Sequence, residues 1–205
     1  MRNGSWARAA FVSGFVLAGA AAAPLAHAQT VLQASATLQP LTRADNQGYS
    51  SCGIRAVITT PVPGGVVLGA DFSVNLETTP RPWSLIKVGH IKGRLPDYKS
   101  LKAQPLVAFA LAKESDGKPI KLSETRPAET PNFLLARAGM DDALALFTAL
   151  FMGERVQLSV TKKKGGVSTV FAFSGEMEKE DFISLQSCLK VVLTRIEQQL
   201  KEPTK

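Results

Sequence analysis

Few side chains in this sequence could do chemistry. Cysteine occurs twice, at Cys52 and Cys188, and histidine twice, at His27 and His90. Ser84 and Lys87 in "SLIK" have the S-x-x-K spacing of acyltransferases that use lysine as the base for a serine nucleophile. The same spacing recurs at Ser115–Lys118, Ser159–Lys162 and Ser187–Lys190, so it carries little information, and the accompanying S-D-N and K-T-G elements are absent. Ser84 also falls in an apparent strand, where the motif needs a helix start. His90 in "KVGHIKG" could act as a general base if a carboxylate oriented it beside a nucleophile, but a lone strand histidine is expected to face solvent. The run Lys162, Lys163, Lys164 in "TKKKGG" could bind phosphate or an anionic glycan. It lacks the order of a phosphate-binding loop, and three lysines on a hairpin tip read more readily as a solvated turn that also blocks edge aggregation. Trp83 follows "RP" (Arg81, Pro82) in a predicted loop, where an exposed ring could anchor a partner. A ring tucked onto the sheet edge is the reading favoured over that one. Trp83, Lys162, Lys163 and Lys164 are therefore the candidate partner-binding residues.

The N-terminus decides what the cysteines mean. Arg2 and Arg8 precede the apolar run "AAFVSGFVLAGAAAA", Pro24 breaks it, and "AHA" (Ala26–Ala28) is a small-x-small cleavage site. This is the pattern of a secretory signal peptide with cleavage after Ala28. A periplasmic or secreted location follows. Removing 28 residues from 205 leaves 177, one domain of ordinary size at 29–205. The 24 basic residues lose Arg2 and Arg8, leaving 22 against 17 acidic ones and a net charge of about +5. His27 leaves with the leader. In an oxidising compartment Cys52 and Cys188 are expected to form a disulfide, although two separate buried thiols remain the rival reading. The chain-entropy model assigns so long a closed loop about 5 kcal/mol. One imidazole without a free thiol makes a Cys/His nucleophile or zinc site hard to assemble. No metal site, cofactor or nucleic-acid contact is expected.

The elements that must position these residues are mostly strands. "GVVLGADFSVNLE" alternates, with Val66, Leu68, Ala70, Phe72, Val74 and Leu76 on one face. "CGIRAVITT" precedes it across the turn "PVPGG", making a hairpin. "VLQASATL" alternates with Leu32, Ala34, Ala36 and Leu38 on one side. "WSLIKVGHIKG" and "NFLLARA" read as strands. "PLVAFALAK" is apolar on both faces and predicts a central strand, with "IKLSE" returning after the turn "SDGKP". "MDDALALFTALFMG" has helical period, with Asp141 or Asp142 as cap, the stripe Leu144, Phe147, Leu150, Phe151, and Gly153 as stop. "RVQLSVTK" and "VSTVFAF" form a hairpin around "KKGG". The last helix has Ser174 as its expected cap, Glu176, Glu178, Glu180 and Asp181 in its first turns, and a stripe from Phe182 through Leu185, Leu189, Val192 and Ile196 to Leu200. Cys188 lies on or beside that stripe. About eight mostly antiparallel strands, in a sheet or sandwich, with a short helix near 140–152 and a long C-terminal helix on the sheet make an α+β fold. No later stretch reads as a membrane span: the richest, at 133–152, is interrupted by Arg137, Asp141 and Asp142. A soluble mature protein is expected.

The region Asp141–Leu193, with "FMGERVQLSV", "KKKGG" and "VFAFSG" before the closing helix, resembles small exported proteins of the invasion-associated locus B type and related periplasmic proteins. The "GF" of that pattern is "GE" here (Gly175, Glu176). The resemblance implies a non-enzymatic, β-rich exported protein concerned with envelope or host contact, and carries over no site residues. The expected function is that of a non-catalytic binding or accessory protein of the bacterial envelope or secreted space, engaging a protein or envelope component. An inhibitor- or chaperone-like protein and a hydrolase using Ser84 or His90 are the alternatives.

Overall fold

The structure is a computed structural model that describes residues 30–46, 48–78, 82–94, 97–115 and 117–201. Residues 1–28, expected to form a signal peptide, the expected cleavage site and Arg81 lie outside the described residues.

Four long strands make a meander: β1 (Thr30–Asp45), β2 (Gly48–Val62), β3 (Val66–Glu77) and β4 (Trp83–Arg94). Each is antiparallel to the next. The β2–β3 turn uses Gly64 and Gly65 at positive φ, which only glycine adopts freely. The expected alternation holds, and register shows what it does. Leu76, Val74, Phe72 and Ala70 stand opposite Cys52, Ile54, Ala56 and Ile58 on one side, and opposite Ser84, Ile86, Val88 and His90 on the other. All twelve are buried. Directly opposed residues share a face, so one continuous inner face forms the core.

The later strands extend the same sheet. They are β5 (Lys102–Gln104), β6 (Ala108–Lys113), β7 (Arg126–Pro127), β8 (Phe133–Ala136), β9 (Val156–Thr161) and β10 (Ser168–Met177). The order is β6-β9-β10-β1-β2-β3-β4-β8-β7, with β5 beside the end of β4. The α+β class and mostly antiparallel sheet stand as expected. One pairing is parallel: β1 lies beside β10 from Thr30↔Thr169 to Leu38↔Met177. The described residues form one curled sheet of ten strands, two of them too short to read in advance.

The curl brings distant strands together. Phe72 on β3 meets Phe173 on β10 edge-on, ring centroids 6.4 Å apart, across β1 and β2. Three flat inter-strand steps would span about 14 Å. The two edges are then stitched by the segment Pro119–Ser123. Ile120 N–H donates to the Leu111 carbonyl, beside the Ala112↔Pro119 bridge, while Ser123 N–H donates to the Arg137 carbonyl, beside Leu122↔Ala138. The result is a barrel-like wall with an irregular seam. "IKLSE" is therefore a bridging segment and forms no full return strand. "PLVAFALAK" gives β6 at the end of the sheet order, which corrects its expected central place: Phe109 and Leu111 are buried on one face, while Ala110 on the other is exposed.

Two helices complete the core. α1 (Met140–Phe151) buries Ala143, Leu146, Phe147, Ala149 and Leu150 against β2, β3, β4 and β9. Its cap is Gly139, with no side-chain bond, and Asp141 and Asp142 sit in the first turn instead, where the helix dipole favours them. The start is set upstream: the Ser84 hydroxyl donates to the Ala138 carbonyl at 2.8 Å and accepts from its N–H at 3.1 Å. α2 (Lys179–Lys201) packs Leu185, Cys188, Val192 and Ile196 on β1 and β2. Ser174 is not its cap, because the parallel pairing with β1 holds residues 168–177 as strand. Only Glu180 and Asp181 lie in the first turn, and Leu200, at the expected end of the stripe, is exposed. The Cys52–Cys188 disulfide joins α2 to β2, Cα atoms 5.9 Å apart and 136 positions apart in sequence.

Candidate functional site

The two residues best suited to catalysis are inside the wall. His90 points inward from β4, 0 % exposed, with Nδ1 and Nε2 both lacking a hydrogen-bond partner. Register forces this: two-residue periodicity from Ile86 and Val88 carries the imidazole to the inner face beside Ala70. The solvent-facing histidine expected from sequence is thus corrected. Burial, with further repulsion from Lys162 and Lys92, pushes its pKa down from 6.5 to about 4, so the ring is neutral at physiological pH. Among the described residues, no carboxylate bonds to it. Ser84, six residues earlier on the same face, is 1 % exposed, and its hydroxyl is committed to Ala138. The nucleophile and base suggested by residue type are each built into the structure separately. Among the described residues, no group of three His, Cys, Asp or Glu side chains could hold a metal ion.

Other polar clusters are structural in geometry. Arg55 and Asp71 form a bidentate pair on the outer wall, at 2.9 and 2.6 Å, and the carboxylate raises the guanidinium pKa. The buried Glu77 carboxylate accepts from the Ser51 hydroxyl at 3.0 Å and from Arg43 at 3.3 Å. Both bind neighbouring strands to each other.

Trp83 does not lie in a loop. It is the first residue of β4, opposite Glu77, half-buried, with the Arg137 guanidinium 4.7 Å from its ring centroid. One ring face is therefore covered by a cation. Lys162, Lys163 and Lys164 occupy the tip of the β9–β10 hairpin and are exposed, as expected. The hairpin is closed beneath them by a 2.8 Å hydrogen bond between the Thr161 and Ser168 hydroxyls and by Gly166 N–H to the Lys163 carbonyl. Trp83 and the lysines are at opposite ends of the barrel, since β4 begins at the α1 end and the hairpin tip lies beyond the other.

Sequence reading missed the company those lysines keep. β4 ends, β5 starts and the intervening turn runs at the same end of the barrel, adding Lys92, Arg94, Lys99 and Lys102, all exposed. His90 on β4 faces Phe171 on β10 with ring centroids 6.2 Å apart, so the ends of these strands and the basic groups they carry lie across the barrel from each other. The signal was present in "HIKGRLPDYKSLK", which holds these four cations and one acid, but only the curl of the sheet brings it to the same end as "TKKKGG".

A groove of about 360 Å³ opens at the other end, between the end of α1 and the start of α2. Leu38, Met177 and the stacked pair Phe151–Phe182, centroids 4.4 Å apart, line it, and Met152 stands 68 % exposed at its rim.

No family profile, curated protein or solved structure matches this chain.

Proposed function

We propose that the protein is an exported binding or accessory protein of the bacterial envelope or secreted space, working through its surface. The observation that carries this reading is the burial of His90 and Ser84. The base is fully buried without a hydrogen-bonded acid among the described residues, and the serine hydroxyl is used by the backbone. What the molecule offers to solvent is a set of contact surfaces on a rigid wall. The long-range disulfide supports an oxidising compartment. The resemblance of Asp141–Leu193 to exported proteins of the invasion-associated locus B type points the same way.

A second reading, as a chaperone-like protein, draws on the groove beside Phe151 and Phe182, because an exposed methionine at an apolar rim adapts to varied apolar segments. It calls for capture of unfolded exported chains, whereas the first calls for a folded envelope component.

The test is photo-crosslinking in living cells from residues placed at Trp83, Lys163 and Met152. A discrete adduct with an envelope component supports the accessory reading. A smear of unfolded clients from the Met152 position supports the chaperone-like one. Hydrolytic turnover on an ester and peptide panel, abolished in a folded Ser84→Ala or His90→Leu variant, would overturn both.

A further inference from the structure

We propose that the barrel end opposite α1 is a docking surface for anionic lipid bilayers. The inference rests on the surface-binding reading above and names its partner.

The charge at this end is one-sided. The segments 92–107 and 161–168 carry Lys92, Arg94, Lys99, Lys102, Lys162, Lys163 and Lys164 against one acid, Asp97. The β7–β8 turn, which reaches β5 through Asn132 Nδ2 and the Ala103 carbonyl, adds Glu129. Among the described residues, none of the seven cations forms an ion pair. Lys92 and Lys102 stand directly opposite each other across β4 and β5. Like charges in that position repel and weaken the pair of strands. An arrangement that destabilises the free protein is relieved when an anionic surface covers it.

Apolar side chains point out at the same end. Ala108, Thr161 and Ser168 form one row across β6, β9 and β10. The next row outward holds Val107, Lys162 and Val167, with Val107 N–H bonded to the Thr161 carbonyl. Val107 is 46 % exposed and Val167 60 %. Val31, on the adjoining β1, is 51 % exposed. Valines flanking lysines at a blunt end match the depth profile of a bilayer surface: lysines reach phosphate headgroups while valines enter the acyl boundary. A soluble polyanion would use the lysines and leave the valines in water, so lipid is the partner that uses both.

The test is co-sedimentation of protein expressed from the full-length sequence with vesicles. One set is phosphatidylcholine alone and the other phosphatidylcholine mixed with phosphatidylglycerol. Binding to the anionic vesicles and not the neutral ones is expected, which also separates docking from insertion of any retained apolar leader. The variant Lys162→Ser/Lys163→Ser/Lys164→Ser alters only a solvated hairpin tip and should bind on the order of a hundredfold more weakly. Val107→Ser/Val167→Ser should weaken binding while leaving its salt dependence unchanged. Unaltered circular dichroism and melting of both variants establish that they fold. Equal binding to both vesicle types, or to neither, overturns the inference. So does binding to a soluble sulfated polysaccharide with the valine variant unaffected in every assay. A specific crosslinked envelope protein without vesicle binding defeats this inference and leaves the proposed function standing. Failure of both experiments defeats both.

Discussion

His90 on β4 and Phe171 on β10 face each other with ring centroids 6.2 Å apart, although β1, β2 and β3 separate their strands in the sheet. Four flat inter-strand steps would span about 19 Å. The imidazole is thus held in the barrel interior by the curl of the wall, against an aromatic ring and without a polar partner.

Acid should therefore loosen the fold through this residue. Between pH 6.5 and about 4 the unfolded chain binds a proton at His90 that the folded chain refuses. Unfolding then takes up protons, so stability falls as pH falls through that window, by about 3 kcal/mol in total. Urea titrations at neutral pH and at pH 4 measure it. The variant His90→Leu should show a correspondingly smaller loss; an equal loss in both proteins would assign the acid sensitivity to carboxylates.

The disulfide should be a large stabilising element. Replacing both Cys52 and Cys188 by alanine should cost about 2–5 kcal/mol, read from the denaturation midpoint. Thiol titration of the unfolded, unreduced protein should find no free cysteine, and two titratable thiols would contradict the cross-link.

Ser84 and catalysis can be separated by a single substitution. Ser84→Ala leaves the Ala138 N–H and carbonyl without their partner at the point where the chain enters α1. A loss of about 1–3 kcal/mol is expected, measured by thermal or urea unfolding. The crosslinking pattern of the folded fraction should not change.

On the outer wall, Phe133 lies over Gly89. A Cβ at Gly89 would meet ring atoms at 2.4 to 2.7 Å, and the Lys87 ammonium sits 4.9 Å from the same ring centroid. Gly89→Ala should destabilise by about 1–3 kcal/mol. Combined with Phe133→Ala, it should cost less than the sum of the single variants, because the clash is gone. Strict additivity would mean that the ring does not block the site.

Legibility followed side-chain periodicity. The row from Ala70 to Leu76 and the stripe from Leu185 to Ile196 were readable because one element buries one face. β6 lies away from its expected central place because Ala108, Ala110 and Ala112 on its outer face are apolar yet not buried, and apolar type alone cannot distinguish a buried face from an exposed one. Ser174 looked like a cap because nothing local reveals the parallel partner β1, whose pairing reaches Met177. His90 shares its face with Ile86 and Val88, and the preference of imidazole for water, which predicts an outward ring, loses to that register. The basic end combines two segments about 60 positions apart, and only the closed topology joins them.

The parallel pairing of β1 with β10 has a consequence in time. A chain made from its N-terminus completes the β1–β4 meander long before residues 168–177 exist, and until then the outer edge of β1 has no neighbour. Cys52 likewise waits for a partner 136 positions later. The wall and the cross-link are therefore both completed by β10 and α2. Until β10 and α2 are made, the β1 edge is open and the Cys52 thiol is unpaired, so the wall and its cross-link form together.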